Sequence, residues 1–428
     1  MTSTSGTLEI RPLARSGEDP ALIAALARLM ADAYPVMGFT TSAALDTYAE
    51  RMTELIRDDD PVWVIVIAQR DGVLAGGMRL YDYEMNVRGR DAFAGGVGSV
   101  GVARTHKRQG IARALIAWYL DHYRERGAPF AVLNPFKLDF YRALGFGYGT
   151  PVHRFRFASA TLRDDGARGT VRELGTGDLD DLLACYERVR ARTNGLIAKY
   201  RGVTERALDD AALRYVAVED GGTLRAFMQT SVVPSDPELR NCDELVVRDL
   251  AYEDDASLAA LLGYLRAQRD QFARVVIESQ DAAFHLCATD PRDGSDVAVA
   301  PPAAHRVAET GLGTMYRILD VERALAHVPG TAAPLVLRID ADDPFQPAVG
   351  GTRTFRFGPD GAPRRDDAAT PDATLAIGIH DLSSVVVGSL SVRDVVRHRL
   401  ATVEPERALE IVDAAFRADQ PPICTTRF

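Results

Sequence analysis

The segment that most constrains the fold is a strand-like run that ends in a basic turn, a glycine and a helix. The run "GVGSVGVA" (96–103) is followed by "HKRQGIARAL" (106–115), in which Lys107 and Arg108 precede Gly110. Apolar residues then recur at helical spacing. The turn is either a solvated basic surface or an anion site, since the N-terminus of a helix carries unpaired N–H groups and a partial positive charge.

Small residues at the start of this helix suit a phosphate ligand. Gly110 has no side chain where a pyrophosphate would approach the backbone, and Ala112 keeps the first turn slim. Lys107 and Arg108 would add charge-assisted contacts. The chain as a whole has a formal net charge of −10, which argues against nucleic acid as a partner.

The composition is that of an ordinary globular protein. The 428 residues, 46% of them hydrophobic, predict about three domains. No apolar run reaches the length of a membrane span, and "MTSTSGTLEI" lacks the apolar core of a signal peptide, so we expect a cytoplasmic protein. The four cysteines form no CxxC pair and the histidines no HExxH pattern, so we expect no metal.

Elements on both sides of the basic turn predict a mixed α/β unit. The dipeptide Asp71-Gly72 separates two strand-like runs and is typical of a hairpin turn. The other predicted elements are a strand at 7–13, a helix at 20–33, a strand at 129–134, and a short helix with a glycine turn at 139–149.

The same order of elements recurs later in the chain. Residues 243–279 again predict strand, loop, helix and strand, which indicates a degenerate internal repeat. This copy has Glu253, Asp254 and Asp255 in place of the basic turn, and these carboxylates would exclude a phosphate. A Pro/Ala-rich linker near residue 300 leads to an α+β region. The fold class is therefore α/β, in a multidomain chain.

Two motifs resemble those of the GNAT N-acetyltransferases. Lys107-x-x-Gly110-x-Ala112 is close to the R/Q-x-x-G-x-G/A acyl-CoA loop, and Asn134 lies seven residues before Tyr141 in "NPFKLDFYRALGF", similar to the N-(x)6-Y…LGF ending. The family usually has Arg or Gln where Lys107 stands. Lysine keeps the charge but loses planar two-point bonding, so we expect weaker cofactor binding, with Arg108 compensating.

The resemblance implies direct acetyl transfer from acetyl-CoA to an amine. Tyr141 would protonate the departing thiolate; the alternative is that it only packs as an aromatic residue. A strand amide would polarise the thioester carbonyl. The cofactor-binding residues implied by the resemblance are Val100, Gly101 and Val102 along the pantetheine arm, Lys107, Arg108, Gln109, Gly110, Ile111 and Ala112 under the pyrophosphate, and Asn134.

Over nearly its full length the chain resembles the Eis (enhanced intracellular survival) family. The patches that carry the resemblance are "VARTHKRQG", "FYRALGFGYG" and "MYRILDVERAL". It implies a catalytic GNAT domain (1–160), a degenerate GNAT-like domain (161–304) and a sterol-carrier-protein-2-like domain (305–428). It also implies a homo-oligomer, specifically a hexamer.

The family resemblance also gives a role to the chain terminus. In Eis proteins the terminal carboxylate serves as general base, and that group here belongs to Phe428. A free α-carboxylate has a pKa of about 3.3–3.7, so it would need desolvation, a water relay or a late proton transfer. The alternative is a frayed terminus.

The substrate follows only by resemblance. Eis proteins acetylate aminoglycosides and certain lysines. Members with strong aminoglycoside activity carry an acid where this chain has Arg427, and the loop 33–39 offers no acid either, although Asp32 precedes it. Acetylation of cationic small-molecule amines, aminoglycosides among them, is the leading prediction. A protein or peptide lysine acetyltransferase, and a lipid or acyl-CoA carrier or sensor, remain open as alternatives.

Overall fold

The computed structural model describes residues 6–13, 19–35, 38–39, 41–57, 63–164, 171–234, 243–294, 298–300 and 304–426. They belong to two compact units. The first comprises residues 1–148, 314–419 and 426–428, and the second comprises residues 149–313 and 420–425. The first unit therefore combines the beginning of the chain with most of its last third.

The first unit opens with strands and helices that follow the sequence signals closely. Asp19 accepts a hydrogen bond from the Ala21 N–H, and Pro20 occupies the first turn of the helix. The elements are β1 (Leu8–Pro12), α1 (Pro20–Ala33), α2 (Ser42–Arg57), β2 (Trp63–Arg70), β3 (Val73–Val87), β4 (Arg90–Val102), α3 (Ile111–Glu125), β5 (Phe130–Leu133), α4 (Leu138–Arg142) and β6 (Gly147–Tyr148), with a 3-10 turn at Arg104–His106.

The hairpin prediction is confirmed, while one helix was missed. Asp71 and Gly72 both have left-handed φ angles, 51° and 78°, which is the geometry that joins β2 to β3 tightly. The helix α2 was not predicted, although the Thr41 hydroxyl accepts a hydrogen bond from the Ala44 N–H at 3.2 Å and so caps its first turn. The strand β4 extends beyond the predicted run at 96–103, since it begins at Arg90, and it pairs with the long strand β3, which ends at Val87.

The second unit has the strand–helix–strand order expected at 243–279. Its elements are β7 (Pro151–Ala158), β8 (Val171–Leu174), α5 (Leu179–Arg190), α6 (Arg201–Asp209), β9 (Arg214–Asp220), β10 (Thr223–Val233), β11 (Glu244–Tyr252), α7 (Asp255–Ala267), β12 (Arg274–Ser279), β13 (Ala298–Ala300), β14 (Ala304–His305) and β15 (Ala308–Leu312). Seven of the strands form one sheet in the order β15-β7-β12-β11-β10-β9-β8, and β13 pairs with β14.

The last third returns to the first unit. Its elements are β16 (Met315–Ile318), α8 (Val321–Leu325), β17 (Leu335–Asp342), β18 (Gly351–Gly358), β19 (Gly361–Arg365), β20 (Ala373–Gly378), α9 (Ile379–Val387), α10 (Val392–Arg397), β21 (Ala401–Glu404) and α11 (Leu409–Phe416). Five strands form a sheet in the order β19-β18-β17-β20-β21. The α+β character predicted for this region is confirmed: strand β20, for example, is followed by the two short helices α9 and α10.

One returning strand completes the first sheet. The order of that sheet is β1-β2-β3-β4-β5-β16-β6, so β16 lies between β5 and β6. Its Arg317 has no exposed surface and donates to the Asp343 carboxylate at 2.6 Å and to the Leu144 carbonyl at 2.8 Å. A buried charge of this kind is tolerated only when it is paired and hydrogen-bonded.

Other contacts join the last third to the first sheet within this unit. At the tip of the β3–β4 hairpin, Arg88 donates to the Phe416 carbonyl at 2.6 Å and to the Val385 carbonyl at 3.0 Å. These carbonyls lie at the ends of α11 and α9, where helices leave acceptors unpaired. Arg88 at the hairpin tip therefore binds backbone carbonyls near the C-terminal ends of two helices. In the described part of the chain no helix is long and apolar enough to cross a membrane.

We expect Asp343→Ala to lower the free energy of unfolding by about 3–5 kcal/mol, because it leaves the buried Arg317 charge unpaired. Asp366→Ala is the matched control, since Asp366 pairs with Arg356 at the surface, and such a pair contributes little. Urea unfolding of both variants tests this. Equal stabilities of the two variants would contradict it.

Candidate active site

The fourth and fifth strands of the first sheet separate beyond a short stretch of parallel pairing. β5 pairs with β4 only from Ala94 to Val97. Beyond that point the segment Gly98–Val102 has a strand partner only on the β3 side, counting the described residues. Backbone groups on its other side are therefore available for strand-like bonds to an extended ligand. This segment contains the predicted Val100, Gly101 and Val102.

A β-bulge interrupts β4 at the start of this open segment. Ser99 has a left-handed φ of 51°, and Ser99 and Val100 together face Met78 of β3. The Tyr34 hydroxyl donates to the Val100 carbonyl at 3.0 Å. Burial raises the pKa of Tyr34 to about 12, although the hydrogen bond to Val100 opposes the rise. Sequence reasoning did not single out Tyr34, because the two residues meet only in the folded chain.

The basic turn brings an open helix N-terminus next to β4. Gly110 caps α3 with a left-handed φ of 80° and offers no side-chain acceptor to the first N–H groups. Arg108 also has a left-handed φ, 61°, which is uncommon outside glycine. Lys107 and Arg108 are exposed, and neither forms an ion pair with another described residue. Two cations and unpaired N–H groups thus lie together.

The side chains of the remaining residues of this turn are either bound to protein groups or at least partly buried. Gln109 accepts from Arg70 at 2.9 Å and donates to the Thr105 carbonyl at 3.2 Å, so its side chain is engaged by the protein. The Ile111 side chain is buried in the core under the sheet, which leaves only its backbone at the turn. Ala112 is half-buried. Arg70 is a further cation at the turn that the motif did not indicate.

The corresponding helix in the second unit is closed to an anion. Asp254 caps α7, and its carboxylate accepts from the Ser257 N–H at 2.8 Å and from the Ser257 hydroxyl at 2.7 Å. The carboxylate thus already occupies the place that a phosphate would take. The N-terminus of α3 is therefore open to an anion, and that of α7 is not.

Tyr141 lies on α4 and is 3% exposed. Its ring packs edge-on against Phe140 and Phe146, with centroid distances of 5.1 and 5.9 Å. Burial, together with the nearby Tyr34, raises the pKa of Tyr141 well above its ordinary value. The phenol therefore stays protonated at neutral pH. Among the described residues its hydroxyl has no hydrogen-bond partner.

The helix that carries Tyr141 is fixed by an ion pair to α9. Arg142 donates to Asp381 at 2.7 Å, and Asp381 is buried. Burial favours the neutral acid, but hydrogen bonds from His380 and Arg142 outweigh it and hold the pKa of Asp381 below its ordinary value. No local signal marked this pair, because its members are far apart in the sequence.

Asn134 follows β5 and contacts protein groups. Its side-chain oxygen accepts from the Thr314 hydroxyl at 3.0 Å, and its amide nitrogen donates to the Thr426 carbonyl at 3.4 Å. The cofactor role expected for Asn134 stays a prediction. Phe428 and Arg427 lie outside the described residues. Asp32 pairs with Arg104 at 3.0 Å.

Metal ligands do not cluster in the described residues, which contain no group of three or more His, Cys, Asp or Glu side chains suited to an ion.

Comparisons with known proteins agree with this geometry. Profiles of acetyltransferase (GNAT) domains match residues 23–149 and 191–318, and a sterol carrier protein domain matches residues 321–425. An uncharacterized N-acetyltransferase of Streptomyces coelicolor is 27% identical over 80% of this chain and 83% of that protein. N-acetyltransferase Eis of Mycobacterium tuberculosis is 26% identical over 83% of this chain and 87% of that protein.

Solved structures show the same fold. A GCN5-related N-acetyltransferase from Anabaena variabilis superimposes with a TM-score of 0.80 at 16% identity, over 99% of this chain and 100% of that chain. Eis1 from Mycobacterium abscessus gives a TM-score of 0.75 at 23% identity, with the same coverage. The chain is a GNAT acetyltransferase with two GNAT domains and a sterol-carrier-protein domain. Over most of its length it is similar to the Eis N-acetyltransferases.

Gly110→Ala is expected to weaken acetyl-CoA binding about tenfold, because alanine disfavours the left-handed cap by roughly 1–2 kcal/mol and shifts the helix N-terminus. Gly89→Ala is the control: Gly89 has a φ of 82° with open space around it, at the opposite end of β4. Calorimetric titration with acetyl-CoA measures both. Equal affinities would show that the turn does not hold the cofactor.

Asp381→Asn is expected to cost about 1–3 kcal/mol of stability at pH 7, because a hydrogen-bonded carboxylate is lost next to Arg142. The folded-state pKa of Asp381 is depressed, so its contribution is complete above the unfolded pKa of about 4 and disappears as pH falls through the lower folded value. Denaturant titrations at pH 7 and pH 3 should therefore show a smaller difference at pH 3. A difference independent of pH would refute this assignment.

Proposed function

We propose that this protein transfers the acetyl group of acetyl-CoA to an amino group of a cationic small molecule, with Tyr141 as general acid and the Phe428 carboxylate as general base. The observation that carries the proposal is the uncapped N-terminus of α3. This N-terminus follows β4 in the chain, next to the edge of β4 that has no strand partner among the described residues. The helix and the strand both belong to the unit that contains Tyr141.

Two features of the chain support binding of acetyl-CoA. The N–H groups at the start of α3, with Lys107 and Arg108, suit the pyrophosphate. The open segment of β4 suits the pantetheine arm, whose amides can form strand-like bonds, and one of its N–H groups would polarise the thioester carbonyl. Acetyl-CoA supplies an activated acyl group. The protein therefore has to bind and orient the two substrates and to move protons between them and its own groups.

Tyr141 supplies the proton for the leaving group. The amine nitrogen forms a bond to the carbonyl carbon as the carbon–sulfur bond breaks, and the sulfur takes the proton of the phenol. Solvent then restores the phenol. The raised pKa of Tyr141 keeps this proton in place through neutral and mildly alkaline pH.

The Phe428 carboxylate would accept the proton that the attacking ammonium must lose. Its low intrinsic pKa makes it a weak base in water, and exclusion of water next to a cationic substrate would raise its basicity. Without this group only amine that is already neutral in solution would react.

The identity of the acceptor amine is determined by testing a panel of acceptors. Aminoglycosides, polyamines and lysine peptides separate a small-molecule substrate from a peptide substrate. The sterol-carrier-protein region (residues 321–425) has an open depression of about 520 Å³, in which a ligand would meet the charged Asp340, Asp342 and Arg399 beside apolar groups. The cytoplasmic location and the hexamer implied by the resemblance stay predictions.

Tyr141→Phe is expected to lower kcat for amine-dependent CoA release by about 10²–10⁴-fold, with acetyl-CoA affinity unchanged, because only the proton donor is removed. In a chain lacking Phe428 the same kcat should fall by a similar factor, because the general base is removed. Thiol release with the acceptor panel measures both, and calorimetry measures cofactor binding. If no amine is acetylated although acetyl-CoA binds, a carrier or sensor function replaces this one.

A further inference from the structure

The last described residues of the chain are bound by a set of buried polar groups in the second unit. Thr150 donates to the Pro422 carbonyl at 2.6 Å, and the Asn194 side chain donates to the Gln420 carbonyl at 3.0 Å. The Ile423 N–H donates to the Asn194 carbonyl at 2.7 Å. This part of the tail is thus held through its backbone, which does not depend on the identity of its side chains.

Gln280 continues this set at the next residue. Its side-chain oxygen accepts from the Cys424 N–H at 2.6 Å, while its nitrogen donates to the Thr150 carbonyl at 3.0 Å. Thr150, Asn194 and Gln280 are 6, 7 and 8% exposed, so their polar groups are committed to these bonds rather than to water. We name Thr150, Asn194, Gly195 and Gln280 the tail cradle.

Gly195 is the member of the cradle that permits the close approach. Its φ is 90°, and a Cβ atom built on it would lie 2.7 Å from the Ile423 nitrogen and 2.8 Å from the Ile423 oxygen. Real Cβ atoms do not approach backbone atoms so closely, so any side chain here must displace the tail. The Ile423 side chain itself packs against the apolar cluster under this region.

The tail leaves the cradle immediately before its final residues. Residues 420–425 belong to the second unit, and Thr426 belongs to the first, where its carbonyl accepts from Asn134. Asn134 lies seven residues before Tyr141. The cradle therefore fixes the tail only a few residues before Phe428, a stretch that an extended chain spans in about 10–14 Å.

We propose that the tail cradle is a positioning device for acetyl transfer: Gly195 and Gln280 hold the tail so that the chain terminus reaches the acetyl-transfer site. This inference rests on the proposed role of the Phe428 carboxylate. It assigns a task to the second GNAT-like domain, whose own helix N-terminus is closed by Asp254. The residues of the cradle touch neither substrate in this proposal and act only through the tail.

The test uses the full chain with Gly195→Ala and its matched control Gly222→Ala. Gly222 lies in the same unit and also has a left-handed φ, 76°, but a Cβ atom added there would meet no other atom within 4 Å. Both variants therefore carry similar backbone strain, and only Gly195→Ala collides with the tail. Gln280→Ala is the second variant in case Gly195→Ala does not fold, since it removes the acceptor of the Cys424 N–H.

Two readouts separate anchoring from chemistry. Alkylation of Cys424, followed by peptide mass spectrometry, reports tail release without reference to activity; Cys424 is half-buried, and we expect Gly195→Ala to increase its labelling rate about tenfold or more. Steady-state kinetics should show kcat lowered by about 100-fold, with the KM for acetyl-CoA unchanged, because a displaced terminus misaligns the base. Gly222→Ala should change neither.

The pH profile identifies the lost group. With the terminus displaced, the rate should keep rising toward the pKa of the free amine, about 10, as it should in the chain lacking Phe428. Unchanged Cys424 labelling in both Gly195→Ala and Gln280→Ala would overturn the inference. Faster labelling with unchanged kcat would also overturn the inference. In that case the chain lacking Phe428 tests the terminal base separately: the proposed role of the Phe428 carboxylate fails only if that chain is fully active.

Discussion

The first sheet depends on a strand, β16, that the chain supplies only after residues 149–313 of the second unit. β16 enters between β5 and β6, and its Arg317 is buried against Asp343. Removing a guanidinium from water is costly, so this arrangement is stable only while the carboxylate and the Leu144 carbonyl are both in place. The active-site strands are thereby tied to the sterol-carrier-like region in one cooperative unit.

The same region also fixes the groups around the active site. Asp381 on α9 pairs with Arg142, the residue after Tyr141, and the tip of the β3–β4 hairpin binds the carbonyl ends of two helices through Arg88. These contacts give the last third of the chain a structural task that needs no ligand. In the mechanism that we propose, Tyr141 is the general acid and must be held within a fraction of an ångström, so this support would act directly on the chemistry.

The N-termini of α3 and α7 show how the residue at the cap decides whether the first N–H groups of a helix are open to a ligand. Gly110 gives the first N–H groups of α3 no side-chain acceptor and leaves them beside two cations, whereas the Asp254 carboxylate binds the N–H of Ser257 at the start of α7. The N-terminus of α3 is open to an anion, whereas the N-terminus of α7 is already satisfied by a carboxylate of the protein. In our proposal the second domain retains a different function, since its Gly195 and Gln280 hold the tail.

The sequence by itself determined the features that arise within a few residues: the Asp71-Gly72 hairpin, the Gly110 cap and the helix it begins, and the spacing from Asn134 to Tyr141. It missed α2, although Thr41 caps that helix. Turn chemistry, capping and periodicity act locally, so they can be read from a single chain. Only the tertiary structure decided which distant groups meet. The bond from Tyr34 to the Val100 carbonyl, the pairing of Arg142 with Asp381 and the insertion of β16 join residues separated by 66 or more positions. No local preference encodes such contacts, because packing of the whole core selects them.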